Sequence, residues 1–365
     1  MRSTENIRAR RLAAALSILG LAGCAEVAVK QDVAMPVTLW PAPPEQPRFR
    51  YEITLRSPTA LGQTEAERLR KQLTGAHDVE TAFAKPLGVA ARFGRIYVSD
   101  TEKRQVVVFD VPRRKTFTFG FRLDGELRKP SGIAVDAQQR VYVADVTARR
   151  VVVFDGIGLF LREIGSKEEL TRPTGIAVSD DGERIYVVDA GGFGNESHRV
   201  VAYDKQGRRL FQLGRRGHAE GEFNYPVDAA IAADGTLYVL DSGNFRVQAF
   251  SRDGRFLRSF GSAGNGLGQF ARPRGIAIDA DGNVYVTDAS FGNFQVFNPE
   301  GELLLAVGSR GGTEDGPARF TLPAGIAVDE TQHVYVVDQY FRKVDVFSRL
   351  SDSQGQEILR RAAGR

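Results

Sequence analysis

The phrase "RPRGIAIDADGNVYVTDASFGNFQVF", residues 272–297, is one copy of a unit that recurs six times along the chain. Its leading proline returns at Pro86, Pro130, Pro173, Pro226, Pro273 and Pro323, at intervals of 44, 43, 53, 47 and 50 residues. Each copy then carries a tyrosine (Tyr97, Tyr142, Tyr186, Tyr238, Tyr285, Tyr335) and, three places on, an aspartate (Asp100, Asp145, Asp189, Asp241, Asp288, Asp338). Phe109, Phe154, Phe250, Phe297 and Phe347 follow nine residues later in five copies. In the third copy Tyr203 follows after fourteen, because five extra residues lie within "AGGFGNESH". A period of this length marks a supersecondary unit that cannot bury its apolar side alone and must stack on its neighbours.

Within a unit, "GIAID" and "NVYVTD" alternate apolar side chains, and "DADGN" between them reads as a hairpin turn. A third strand ends in the "QVF" type of element, and a fourth follows as "KTFTFG", "LFLREIG", "RLFQLG", "RFLRSFG" and "ELLLAVG". Four strands per unit and six units predict an all-β fold. The form expected is a six-bladed β-propeller of four-stranded blades, whose ring leaves only short edges. Six sets of first-to-third strands have only five fourth strands after them. "RFRYEITL", residues 48–55, is the expected replacement, so an N-terminal strand should close the last blade. Pro-x-Gly-Ile-Ala-Val, Tyr-Val-x-Asp and Arg-Val-x-Val-Phe, spread over residues 48–347, resemble the NHL-repeat family of six-bladed propellers, its bacterial envelope lipoproteins in particular. The resemblance implies a fold more than an activity, since propellers host many unrelated functions.

The chain has one cysteine, Cys24, placed after a basic start (Arg2, Arg8, Arg10, Arg11) and an apolar run from Leu12 to Gly23. That run is too short to span a bilayer but suits a secretory signal. Leu21-Ala22-Gly23-Cys24 also resembles the bacterial lipobox, whose cysteine is acylated and becomes the first mature residue. Residues 1–23 are therefore expected to be a lipoprotein signal peptide, with Cys24 lipidated. Ala25, where an aspartate would retain the protein, favours the outer membrane, facing the periplasm. A single thiol makes neither an internal disulfide nor a cysteine zinc site. Of the formal net charge of +4, residues 1–23 supply three through four arginines and one glutamate. The rest of the chain is nearly neutral, and secretion would keep it from RNA, so no nucleic-acid partner is expected. Residues 24–47, with Pro36, Pro41, Pro43, Pro44 and Pro47, read as an extended tether that Trp40, the only tryptophan, pins to the body. Residues 348–365 read as a polar, mobile tail.

In a four-stranded blade, the loop into strand one and the loop between strands two and three share one face, here called the top. The other two turns share the bottom. Lys85, Lys129, Arg172 and Arg272 stand just before repeat prolines and Arg274 just after one, while Arg215, Arg216 and Arg310 lie in loops of the same face. The bottom turns hold Asp136, Asp180, Asp181, Asp234, Asp279, Asp281, Asp329 and Glu330, diluted by Arg95, Arg140 and Arg184. Two readings follow. Either these charges pair locally on a solvated surface, or a basic top mouth recruits an acidic envelope protein or an anionic polysaccharide. On both, the membrane is reached through the lipid anchor.

The repeat aspartates precede Arg150, Arg199, Arg246 or Lys343 in four blades and are expected to pair with them across a hairpin. Phe83, Leu127, Leu170, Phe223, Phe270 and Phe320, three before each proline, read as blade-packing anchors. Asp228 stands where the other copies have Gly88, Gly132, Gly175, Gly275 and Gly325, and is expected to point toward the top mouth with Arg274 as a partner. His198 lies in the third-copy insertion with Phe193, Asn195 and Glu196. Residues 57–85 are expected to insert over the top, with a short helix in "TEAERLRKQL" that sets Leu69 and Leu73 on one side. Six-bladed propellers also include calcium-dependent lactonases and metal-dependent lyases, which keeps an enzyme with its site at the top mouth as the alternative. Calcium wants several oxygen ligands and zinc converging histidines. The mouth is mostly glycine, and His77, His198, His218 and His333 show no ligand spacing. No metal or cofactor is expected; Gly311-Gly312 and "GSAGNG" connect blades and do not cradle phosphate.

Overall fold

The computed structural model describes residues 38–62, 73, 81–192, 194 and 196–363. Within them the six repeats form six antiparallel sheets, each a meander with the repeat proline opening its innermost strand. These inner strands are Pro86–Arg92, Pro130–Val135, Pro173–Val178, Pro226–Ile231, Pro273–Ile278 and Pro323–Val328. Each touches the inner strands of both neighbours, and the sixth returns to the first, so the sheets are blades of a closed ring. Proline suits the strand start because it has no N–H to donate there. It pairs with the repeat aspartate (Pro226↔Asp241, Pro273↔Asp288), and the register shifts just after it in every blade. A bulge re-aims the residues beside it. Here those are the two positions that follow each proline.

Hydrophobic burial is divided into six clusters, one at each junction between blades. Val-rich second and third strands supply most of it because both of their faces are covered. The N-terminal strand Phe49–Leu55 runs antiparallel to Lys343–Arg349 and closes blade six from bottom to top, as the missing fourth strand required. Phe49 enters the junction between blades five and six, edge-on to Phe294 at 5.9 Å, while Leu55 enters the junction between blades six and one. Burying each such side chain stabilises the ring by about 1.5–3 kcal/mol.

The two chain ends differ from expectation. Residues 38–47 are not a free tether: Leu39–Trp40 adds a fifth strand to blade six, and Trp40 stands edge-on to Phe347 at 5.5 Å. This segment folds back beside Phe49–Leu55, so Thr38 sits next to Tyr51 on the outer edge. The tail is also structured, since Asp352–Ala363 is a helix. Gly355 lets it lie against Pro47: a Cβ there would come within 2.6 Å of the Pro47 carbonyl oxygen. Backbone contact between Leu350 N–H and the Arg48 carbonyl (2.7 Å) ties the two ends together. Of the expected helix within residues 57–85, only Leu73 is described; it is helical and exposed.

Candidate functional site

The repeat aspartates build the top mouth. Each is fully buried and accepts main-chain N–H groups from the residues that precede the inner strand of its own blade. Asp145 takes Arg128 (2.6 Å) and Lys129 (3.0 Å), Asp189 takes Arg172 (2.6 Å), and Asp288 takes Ala271 (2.8 Å) and Arg272 (2.9 Å). Asp100 holds Lys85 in the same way at 3.1 Å. A buried carboxylate must be satisfied, and strand-entry amides do this at low cost. The expected cation pairs are only partly realised: Asp189–Arg199 (3.2 Å) and Asp241–Arg246 (3.0 Å) form. Arg150 turns to Glu163, and Lys343 to Asp345 at 2.9 Å and Asp315 at 3.0 Å.

Pinned main chains leave the side chains of Lys85, Lys129, Arg172 and Arg272 at the mouth. Among the described residues, none of these four makes an ion pair, nor does Arg274. Arg215 and Arg216 do, with Glu222 and Glu196. The bottom is different. Asp136 pairs with Arg140, Asp180 with Arg92, and both Asp279 and Asp281 with Arg349. Asp136, Asp279 and Asp329 also accept the hydroxyls of Tyr142, Tyr285 and Tyr335. Four bottom carboxylates are thus held by arginines, while Asp181, Asp234 and Glu330 make no ion pair among the described residues.

Asp228 occupies a ring of glycines at the narrowest approach of the inner strands. An added Cβ would meet the next blade's backbone at 2.7 Å on Gly132, 2.6 Å on Gly175, 2.5 Å on Gly275 and 2.6 Å on Gly325. Glycine is needed there for the blades to close. At the one position with a side chain, the carboxylate accepts the Ile276 N–H of blade five at 3.3 Å. Burial pushes its pKa up to about 7, opposed by the amides of Ala229 and Ile276. It thus bridges the adjacent blades four and five, and does not reach up to Arg274. Arg274 instead donates to Gln339 Oε1 at 3.4 Å. Burial, and then the charge of Arg272, pull its guanidinium below the ordinary value.

Blade four departs from the others at Tyr225, the residue before its proline. Asp241 accepts the Asn224 N–H at 2.7 Å, and the Tyr225 N–H goes to His198 Nδ1 at 3.0 Å. His198 comes from the blade-three insertion and is itself buried. Nδ1 is the acceptor, which places the imidazole proton on Nε2. Tyr225 has φ +60°, a left-handed conformation that bulky residues rarely adopt. Its ring is 39% exposed, and the Arg172 guanidinium stacks over it at 5.4 Å. His198 is therefore a strut beneath the mouth. His218 Nδ1 lies 2.6 Å from Asn244 Oδ1. Among the described residues, no three His, Cys, Asp or Glu side chains gather at metal-holding distances. His77, Cys24, Phe193 and Asn195 lie outside the described residues.

Two cavities open on the other side of the ring. One of about 470 Å³ lies among the bottom turns, with Arg92, Asp180, Asp234 and Glu330 in its wall. The other, about 800 Å³, lies between blades five and six over Phe49, Tyr285 and Leu304. In other blades the turn between strands three and four fills this wedge, as Gly158 does against Phe119 and Gly301 against Phe260. Blade six is made from both chain ends and has no such turn.

Residues 127–154, 223–250 and 270–297 each match the NHL repeat. The chain is a six-bladed β-propeller that carries NHL repeats. It is similar to the Drosophila melanogaster protein brain tumor, at 29% identity over 147 residues, which is 39% of this chain and 14% of that one. The chain thus spans only a small part of that relative's length. Among solved structures it is similar to a streptogramin B lyase (13% identity, covering 74% of this chain and 96% of that one, TM-score 0.55). It is also similar to a Xanthomonas campestris gluconolactonase (21%, covering 73% and 87%, TM-score 0.53). A Bacteroides thetaiotaomicron protein of unknown function is a further neighbour (20%, covering 75% and 71%, TM-score 0.56). At these identities the likeness is one of fold.

Within the NHL propeller, sequence spacing located the ring of cations but missed Tyr225. The signal available was that "NYP" breaks a series in which the other top-mouth residues before proline are mostly cationic. Its strained backbone and its strut from another blade are visible only in three dimensions.

Proposed function

We propose that this NHL propeller is a non-catalytic interaction platform of a bacterial envelope, anchored by lipid on Cys24 at the outer membrane and facing the periplasm. Its top mouth binds an acidic envelope protein or an anionic polymer. The observation that carries this reading is a contrast in pairing: Lys85, Lys129, Arg172, Arg272 and Arg274 have no carboxylate partner among the described residues, while Asp136, Asp180, Asp279 and Asp281 on the bottom are each paired with an arginine. Unpaired cations around a rigid mouth raise the local concentration of anionic partners. The lyase and lactonase alternative lacks comparable support, because His198 and His218 are spent on Tyr225 and Asn244. Crosslinking and pull-down from intact envelopes test the reading. Arg172→Glu with Arg272→Glu should abolish recovery of a specific partner, and unchanged recovery rejects the platform. Cys24→Ala should release the protein from the membrane fraction.

A further inference from the structure

Three features converge on blades three to five. Tyr225 holds a strained left-handed backbone, with its ring presented at the mouth. Strain of this kind persists only where surrounding structure enforces it, and here His198 does so from the neighbouring blade. Arg172 stacks on that ring at 5.4 Å, and Arg274 enters the top of the neighbouring blade two residues after Arg272. Arg274 is a largely desolvated cation whose only side-chain partner among the described residues is the neutral Gln339. At the position matching Arg274 in blade three, Thr174 buries a hydroxyl that has no hydrogen-bond partner among the described residues. A desolvated guanidinium without an anion is costly, and a planar carboxylate satisfies its fork in bidentate fashion.

The surrounding face carries exposed Phe121, Leu267 and Tyr340 in top loops. Aromatic side chains together with arginine are the composition of protein interfaces. We infer that Arg172, Tyr225, Arg272 and Arg274 form a carboxylate-recognition site that receives an acidic segment of a partner protein. This rests on the platform reading and names the site within it. Tyr225 supplies a rigid wall and a hydroxyl, Arg274 the deep charge, and Arg172 and Arg272 the flanking ones. His198 is a positioning residue.

The probe is a fluorescein-labelled hexaglutamate peptide, titrated with the full chain in detergent at low ionic strength and read by anisotropy. Arg274→Gln and Tyr225→Gly should each weaken binding by about tenfold or more. Glycine accepts the left-handed backbone, so Tyr225→Gly removes the ring without unfolding the loop. Lys205→Gln, in a bottom turn where the lysine meets only Glu183, should change affinity less than threefold, and melting curves of the variants should match the parent. If the peptide binds but ignores Arg274→Gln and Tyr225→Gly while responding to Lys85→Glu with Lys129→Glu, this site is rejected and the basic platform stands. If polygalacturonate or polyphosphate binds and hexaglutamate does not, the protein-segment inference is overturned in favour of a polymer.

Discussion

The carboxylate of Asp228 accepts the main-chain N–H of Ile276 across the boundary between blades four and five, at 3.3 Å. Burial holds its pKa near 7, well above its value in an unfolded chain. A raised carboxylate pKa stabilises the fold in acid and loses that contribution as pH rises to the folded value. Stability should fall between about pH 4 and pH 7 and level off above. Across pH 5 to 8 the loss is about 3 kcal/mol. Urea unfolding at both pH values should show this slope in the parent and not in Asp228→Asn. An equal slope in both would place the titration elsewhere.

Lys343 and Asp345 are both fully buried, 2.9 Å apart, with Thr54 of the closing strand donating to the same carboxylate at 2.6 Å. Lys343→Met should cost about 3–5 kcal/mol, because it leaves a buried carboxylate without its cation. The corresponding positions in blades one to three are Val107, Val152 and Val201. Lys343→Met with Asp345→Val should therefore recover most of the loss in thermal unfolding. A double variant as unstable as the single would mean that the pair itself, and not the stranded charge, matters.

Phe49 belongs to the junction between blades five and six, although it lies about three hundred residues from its partners in sequence. Phe49→Ala should cost about 3–5 kcal/mol. Trp40 reports on the same seam through its contact with Phe347. Its fluorescence and the far-UV circular dichroism should lose their native signals together. A tryptophan transition well ahead of the dichroism would show that the ring survives an open seam.

Gly175 is a geometric requirement, since a Cβ there meets the Asp228 Cα at 2.6 Å. Gly192 has open space at the same distance. Gly175→Ala should destabilise by about 2 kcal/mol or more, and Gly192→Ala by less than about 0.5 kcal/mol. Chemical denaturation of the two variants side by side checks the contrast.

Much of the architecture was legible because a repeat states its own register. The prolines mark strand starts, the aspartates mark the loops they brace, and the absent sixth fourth strand points to residues 48–55. The ends were less legible. Trp40 pins the proline-rich segment as expected, but its pairing as a fifth strand of blade six was not foreseen, nor the helix that the polar tail forms where Gly355 fits against Pro47. Composition reports what a segment can do alone, and these segments are decided by surfaces from the other end of the chain.

At the mouth the division is sharper. Sequence alone determined that lysines and arginines precede four inner strands, that one glycine is replaced by Asp228, and that His198 sits in an insertion. Only the tertiary structure decided that Asp228 bonds to Ile276 and not to Arg274, and that His198 holds Tyr225. It also showed Arg150 and Lys343 leaving the repeat aspartates for other carboxylates. The physical reason is that a polar group pairs with whatever partner folding brings within reach, and spacing along the chain does not record that distance. Asp228 and His198 find theirs on the neighbouring blade, Arg150 and Lys343 within their own.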